Sequence, residues 1–213
     1  MIGTTLLLAA FAVVAISMIA YAVTRERQRR RSFERIAPRI GLQSGASTEG
    51  LREELARLPS MTKARRHLFT HALRGADSLV CDWRILEGPK ERPRRSAQTL
   101  VAVRLPGSRL PSFRLMVRTN RRALGDRLIG PAVEFRDATR PEEAIVIAGP
   151  DEAALRSVFH EARRSRIDLP PELVIEGGGD WIAGFAPGRR AAPGELAGLL
   201  ERVRVLADQI VAD

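Results

Sequence analysis

The segment Ile2 to Val23, IGTTLLLAAFAVVAISMIAYAV, runs for 22 positions without a charged side chain. As a helix rising 1.5 Å per residue it is about 33 Å long, enough to match a bilayer core of roughly 30 Å. A helix of a soluble core shows a polar stripe. Here only Gly3, Thr4, Thr5 and Ser17 interrupt the apolar side chains, and they form no stripe.

Directly after this run come Arg25, Arg27, Arg29, Arg30 and Arg31. Positive residues flanking a spanning helix stay on the cytoplasmic side, so the pattern predicts an amino terminus outside and the body of the chain in the cytoplasm, at the cell's inner membrane. The five arginines read as a topology signal and as contacts to anionic headgroups, each worth about 1 kcal/mol near the surface. A cleaved signal peptide is the rival reading, with Ala20-Tyr21-Ala22 as a loose cleavage site. Signal peptides place the positive charge before a shorter apolar core, and here the order is reversed. No cysteine near residue 20 marks a lipoprotein.

The 35 Lys and Arg against 25 Asp and Glu leave a net charge of +10 on 213 residues, a balance open to nucleic acid or to a membrane surface. Aromatic residues make up 5% and none lies in the basic clusters Arg25–Arg31, Lys90–Arg95, Arg118–Arg127 and Arg163–Arg166. Single-strand binding uses aromatics for base stacking, so the clusters disfavour nucleic acid as a partner. The single cysteine, Cys81, excludes an intramolecular disulfide framework.

Beyond the arginines, Ser32–Ser47 reads as a linker rich in Pro, Gly and Ser. Ser47 then caps a short helix with Leu51, Leu55 and Leu58 on one face. Period-two alternation over Leu79–Ile85, Thr99–Leu105 and Phe113–Val117 predicts three half-buried strands. A short strand is expected near Ala132–Phe135, and Ala144–Ala148 suits a buried one. Asp151–Arg166 predicts one helix with acidic residues in its first turn and arginines in its last. ELVIE and WIAGF flank Gly177-Gly178-Gly179-Asp180, a hairpin with glycines at its turn. Leu196, Leu199, Leu200, Val203, Ala207 and Ile210 then give an amphipathic C-terminal helix begun by Pro193.

These segments, IAPRIGL, CDWRI, QTLVAVRLPGSRLPSFRL, AGPDEAALRSVF and IEGGGDWIAGFAPGRR, resemble a family of bacterial membrane-anchored proteins without an established activity. The resemblance runs from about Ile36 to Ile210 and departs at Pro141–Ala144. It implies an anchor followed by an α+β domain, and a location rather than a reaction.

Several constellations carry potential chemistry. His67 and His71, with Cys81 and His160, make a metal site only if the two histidines lie on a helix, where i and i+4 imidazoles stand about 6 Å apart. The segment reads instead as a hairpin turning at Gly75-Ala76-Asp77, with His67, Phe69, His71 and Leu73 on one face. Gly177, Gly178 and Gly179 could form an anion nest, but an apolar strand follows them where a phosphate loop needs Gly-Lys-Ser/Thr and a helix. Asp180 is expected to hydrogen bond in its turn and Asp82 to face solvent from a strand. No nucleophile elbow and no pair of opposed carboxylates is present.

The expectation is therefore an α+β chain: residues 1–24 a transmembrane anchor, 25–47 a basic segment and linker, 48–213 a cytoplasmic domain with a mainly antiparallel sheet and packed helices. Its expected role is a non-enzymatic interaction module at the bilayer with a protein partner of unknown identity, needing no cofactor and no metal. The alternative is a tethered nucleotide- or metal-binding enzyme using the Gly177–Asp180 turn.

Overall fold

The structure is a computed structural model that describes residues 2–63, 66–87, 94–118, 132–134 and 145–211, with side chains outside the described set at 2–10, 63, 87, 94 and 134. Alanine, leucine, isoleucine and long polar residues with no internal Pro or Gly after Gly3 make one uninterrupted helix, α1 (Ile2–Ile36). Pro38 ends it, because proline lacks an amide donor, and the chain tightens into a 3-10 turn over Ala37–Ile40.

The apolar run lies in the first two thirds of α1. Among the described residues no helix is long and apolar enough to cross a membrane, so the spanning segment expected over 1–24 is not seen among them. The segment Ser32–Ser47 is not a free linker. Phe33, Ala37 and Leu42 are buried and belong to the domain's core.

The described strands are β1 (Gln43–Ser44), β2 (Arg66–Arg74), β3 (Ser78–Glu87), β4 (Arg94–Arg104), β5 (Leu110–Val117), β6 (Ala132–Glu134), β7 (Ile145–Ala148), β8 (Val174–Gly179) and β9 (Trp181–Phe185). They form one sheet in the order β1-β2-β3-β4-β9-β8-β5-β7-β6, and every pairing is antiparallel. The fold class is α+β, as expected. The late β8–β9 hairpin inserts between β4 and β5, which are neighbours in sequence and do not pair.

Helices lie on both faces: α2 (Leu51–Glu54) and α3 (Pro59–Lys63) on one, and α4 (Glu152–Val158) and α6 (Leu196–Val211) on the other. The strands are therefore buried on both sides rather than half-buried. Val80, Val101, Leu115, Ile175 and Ile182 point to the face covered by α6, whereas Leu79, Leu100, Met116, Val174 and Trp181 point to the face covered by α2 and α3. Alternation in a strand sends neighbours to opposite faces, so both registers must be apolar when both faces are covered.

The C-terminal helix α6 buries Leu196, Leu200, Val203, Leu206, Ala207 and Ile210. Each of its large side chains contributes about 1.5–3 kcal/mol on burial. The single helix expected over Asp151–Arg166 is two: α4, capped by the Asp151 carboxylate accepting from Ala154 N at 3.0 Å, and α5 (Glu161–Arg164). The break at Phe159 drives that ring into the core against Phe113, centroids 4.9 Å apart.

Candidate functional site: the joint between the amino-terminal helix and the sheet

Glu26, Arg29, Phe33, Ile36 and Ala37 recur at helical spacing and form the stripe by which α1 meets the sheet. Opposite them stands Asp82, 1% exposed. It lies on β3 on the same face as Val80, directly across from Thr99 of β4. The expectation of a solvent-facing Asp82 is overturned, because α1 and the loop after β9 cover that face.

Arg29 grips Asp82 with both prongs, Nε to Oδ2 at 2.5 Å and Nη2 to Oδ1 at 2.7 Å. The same Nη2 donates to Ala191 O at 2.9 Å and to Thr99 Oγ1 at 3.3 Å. Arg190 approaches from the other side, Nη2 to Oδ2 at 2.5 Å, and Thr99 Oγ1 donates to Oδ1 at 2.9 Å. Burial pushes the Asp82 carboxyl up, but the hydrogen bonds and charges of Arg29 and Arg190 outweigh it and hold the group below the usual carboxylate range.

A second carboxylate, Glu26 of α1, accepts from Arg190 at 3.3 Å and from Arg84 at 3.2 Å. Arg29 also lies over the Phe33 ring at 4.8 Å. Helix and sheet are thus joined by alternating charges sealed by an aromatic. Arg29, read from sequence as a lipid contact, is committed to this joint. Arg25, Arg27, Arg30 and Arg31 remain exposed, Arg25 over Tyr21 at 5.8 Å and Arg30 paired with Glu34 at 2.9 Å.

The two histidines are not brought together. His67 Nδ1 accepts from Trp83 Nε1 at 3.1 Å, and its ring stacks with Trp83 and Phe69 on the α2 face. A bulge between Thr70 and Leu73 breaks the expected alternation of β2. His71 sits in it at φ 55° and turns to the opposite face, 3.4 Å from Glu26 Oε1. Cys81 is buried, and burial pushes its thiol far up. Among the described residues no group of three or more His, Cys, Asp or Glu is placed to hold a metal.

The glycine turn is a close-packed hairpin. Gly178 pairs with Trp181, leaving Gly179 at φ 66° and Asp180 as its two-residue turn. A Cβ on Gly177 would stand 2.1 Å from Phe113 Cε1, and one on Gly178 2.2 Å from the Arg57 carbonyl oxygen. The space a ligand would need beside these two glycines is filled by protein. Asp180 pairs with Arg104 at 2.7 Å, and its carbonyl accepts from Leu105 N.

On the far face Glu176, 1% exposed, is held by Arg114 at 2.5 Å and by Ser60, whose amide and hydroxyl donate at 2.9 and 2.6 Å. That carboxylate fastens α3 to the sheet and has no free face for acid-base work. Sequence reasoning missed both buried carboxylates. The signal for the first was available in α1, where Glu26, Arg29, Phe33 and Ala37 keep one helical face.

No family model matches the chain, and no curated protein matches it. Among solved structures the chain is similar to the crystal structure of the mycobacterial trehalose monomycolate transport factor A, TtfA. The TM-score is 0.52 at 14% identity, covering 87% of this chain and 96% of that one. At that identity the likeness is one of fold.

Proposed function

We propose that the chain is a non-enzymatic interaction module held at a membrane by the apolar half of α1. The observation that carries this reading is the exposure of Phe11, Val13, Val14, Ile16, Met18, Ile19 and Tyr21, all between 57% and 73%, on a helix whose other end is locked into the domain core. Large apolar side chains left in water each forgo about 1.5–3 kcal/mol. A bilayer covers such a helix on all sides. With Ile2–Val23 inserted, Arg25, Arg27, Arg30 and Arg31 meet anionic headgroups, and the positive flank orients the amino terminus outside and the domain in the cytoplasm.

The joint gives that anchor a mechanical role. Arg29 follows Val23 by six residues, about 9 Å along the helix, so the domain is carried close to the bilayer on a continuous stem. Its sheet and loops are then presented to a protein partner there. The buried carboxylates are consumed in holding elements together, which supports a binding rather than a catalytic role. The fold's likeness to a transport factor is in keeping with it.

The test is vesicle flotation of the full chain beside an Ile16→Asp, Ile19→Asp variant, with anionic vesicles and a high-salt wash. The wild type is expected to float through the wash and the variant to stay at the bottom. Equal flotation of the two would overturn the anchor, and a C-terminal reporter active only outside the cell would overturn the orientation. A thermal-shift screen of the full chain against nucleotides and divalent metals is expected to give no change. A ligand at a hundred times its Kd would add about 2.7 kcal/mol, and such a shift would displace the non-enzymatic reading.

A further inference from the structure

His71 has the local structure of a group held against its own preferences. It occupies the left-handed region at φ 55°, which is uncommon outside glycine. Its side chain is 7% exposed, and neither ring nitrogen has a hydrogen-bond partner among the described residues. The imidazole is packed edge-on against Phe33 of α1, centroids 5.8 Å apart. It also lines a cavity of about 400 Å³ between α1 and β2, together with Arg30, Phe33 and Glu34.

Charges of both signs surround it, the nearest being the Glu26 carboxylate, whose Oε1 lies 3.4 Å from Nε2. From α1 come Glu26 and Arg29, from β3 Asp82 and Arg84, and from the loop after β9 Arg190. Both carboxylates are already engaged by these guanidiniums. A proton on His71 adds a further cation to the cluster, on a ring that is itself buried.

We infer that His71 is a proton-operated latch: neutral, it packs under Phe33 and lets α1 dock on the sheet, and protonated, it loosens the Arg29–Asp82 joint so that the domain swings on its stem. Burial, the largest influence on the ring, disfavours its charged form; Asp82 and Glu26 oppose that, Arg190 and Arg29 add to it, and the net direction is down from the ordinary 6.5. The undocked ring, free in water, keeps the ordinary affinity. Undocking therefore takes up a proton, and docking is fully present above pH 6.5 and weakens as pH falls below it. The docking ratio falls by up to about tenfold per pH unit down to the docked-state value. This rests on the joint alone and holds whether the apolar half of α1 sits in a bilayer or elsewhere.

The experiment places spin labels at Arg27→Cys on α1 and Glu201→Cys on α6 of the full chain, both exposed positions, while the buried Cys81 takes no label. The distance distribution is expected to be narrow at pH 7.5 and broad at pH 5. His71→Phe is expected to stay narrow at both. His71→Asn, which takes no proton and tolerates positive φ, serves as the second variant and is expected to be equally indifferent to pH. A wild type that stays narrow at pH 5 overturns the latch. So does broadening that persists in both His71 variants, above all if Glu26→Gln then abolishes it, since Glu26 would be the titrating group.

Discussion

Replacing Asp82 by alanine removes the carboxylate shared by Arg29 and Arg190, leaving Arg190 only its longer contacts to Glu26. Arg29 and Arg190 have side chains 15% and 25% exposed, so both would be left largely desolvated. Breaking a buried pair in this way costs about 3–5 kcal/mol, because the stranded charge keeps its desolvation penalty. Arg29→Ala is the asymmetric partner experiment. Asp82 would still hold Arg190 and the Thr99 hydroxyl, so the loss is that of charged hydrogen bonds, about 1.5–3 kcal/mol. The double variant should cost less than the sum, since Arg29→Ala removes one of the two cations that Asp82→Ala strands. The expected coupling is within about 0.5–3 kcal/mol. For a chain of this size about 2–4 °C accompanies each kcal/mol, so Asp82→Ala should lower Tm by roughly 10 °C and Arg29→Ala by about half of that. Denaturant unfolding followed by the fluorescence of the buried Trp83 reads both. Because the folded carboxyl lies below its ordinary value, its contribution is present above the ordinary carboxylate range and is lost as pH falls through the folded value. In the His71→Phe background, which stays docked, the gap between the parent and Asp82→Ala should stay constant from pH 8 to pH 5 and close only in stronger acid. An Arg29→Ala cost equal to or above that of Asp82→Ala, or strictly additive effects, would refute the shared-carboxylate account.

Cys81, buried and with its thiol pushed up, should react with maleimide only as fast as the chain unfolds; faster labelling in native buffer would show that the β3 face is open. Gly177→Ala forces a methyl into the Phe113 ring and should cost about 1–3 kcal/mol, with Phe113→Leu in the same chain recovering part of it; a neutral Gly177→Ala would mean that the hairpin is not packed on Phe113. Glu176→Gln keeps shape and removes the charge opposite Arg114, so it should destabilise by about 3–5 kcal/mol, measured by thermal unfolding. A Ser60→Ala change should cost about 1–3 kcal/mol, and an undisturbed Tm for either would deny that this cluster fastens α3.

The elements that rest on local periodicity were legible. The strand at Leu79–Ile85, the hairpin at Gly177–Asp180 and the stripe of α6 follow from residues within one or two turns of each other. Boundaries were less so: β4 starts at Arg94 and β5 at Leu110. Taken one at a time, the strands have the pattern of half-buried ones. Val80 and Cys81 are both apolar because helices cover both faces, a fact held in segments far along the chain. Strict alternation puts His71 with His67, and the bulge that reverses it leaves no trace in composition. Proximity to the apolar run groups Arg29 with its four neighbours; helical phase separates it from Arg27, Arg30 and Arg31, and Arg25 lies one turn beyond it towards the amino terminus. The basic clusters at Lys90–Arg95 and Arg118–Arg127 lie largely outside the described residues.

By itself the sequence determined that an apolar helix begins the chain, that alternating strands and an amphipathic C-terminal helix follow, and that no disulfide can staple them. Each of these depends on side chains a few positions apart, where backbone geometry dictates who is neighbour to whom. Only the tertiary structure decided that β8 and β9 part β4 from β5, that Asp82 is buried, and that the arginine holding it stands 53 residues away on α1. A buried charge is specified by the partner that satisfies it, and that partner is chosen by packing rather than by spacing. The arginines after the apolar run therefore divide in function: four remain outward, and one ties the helix to the domain it carries.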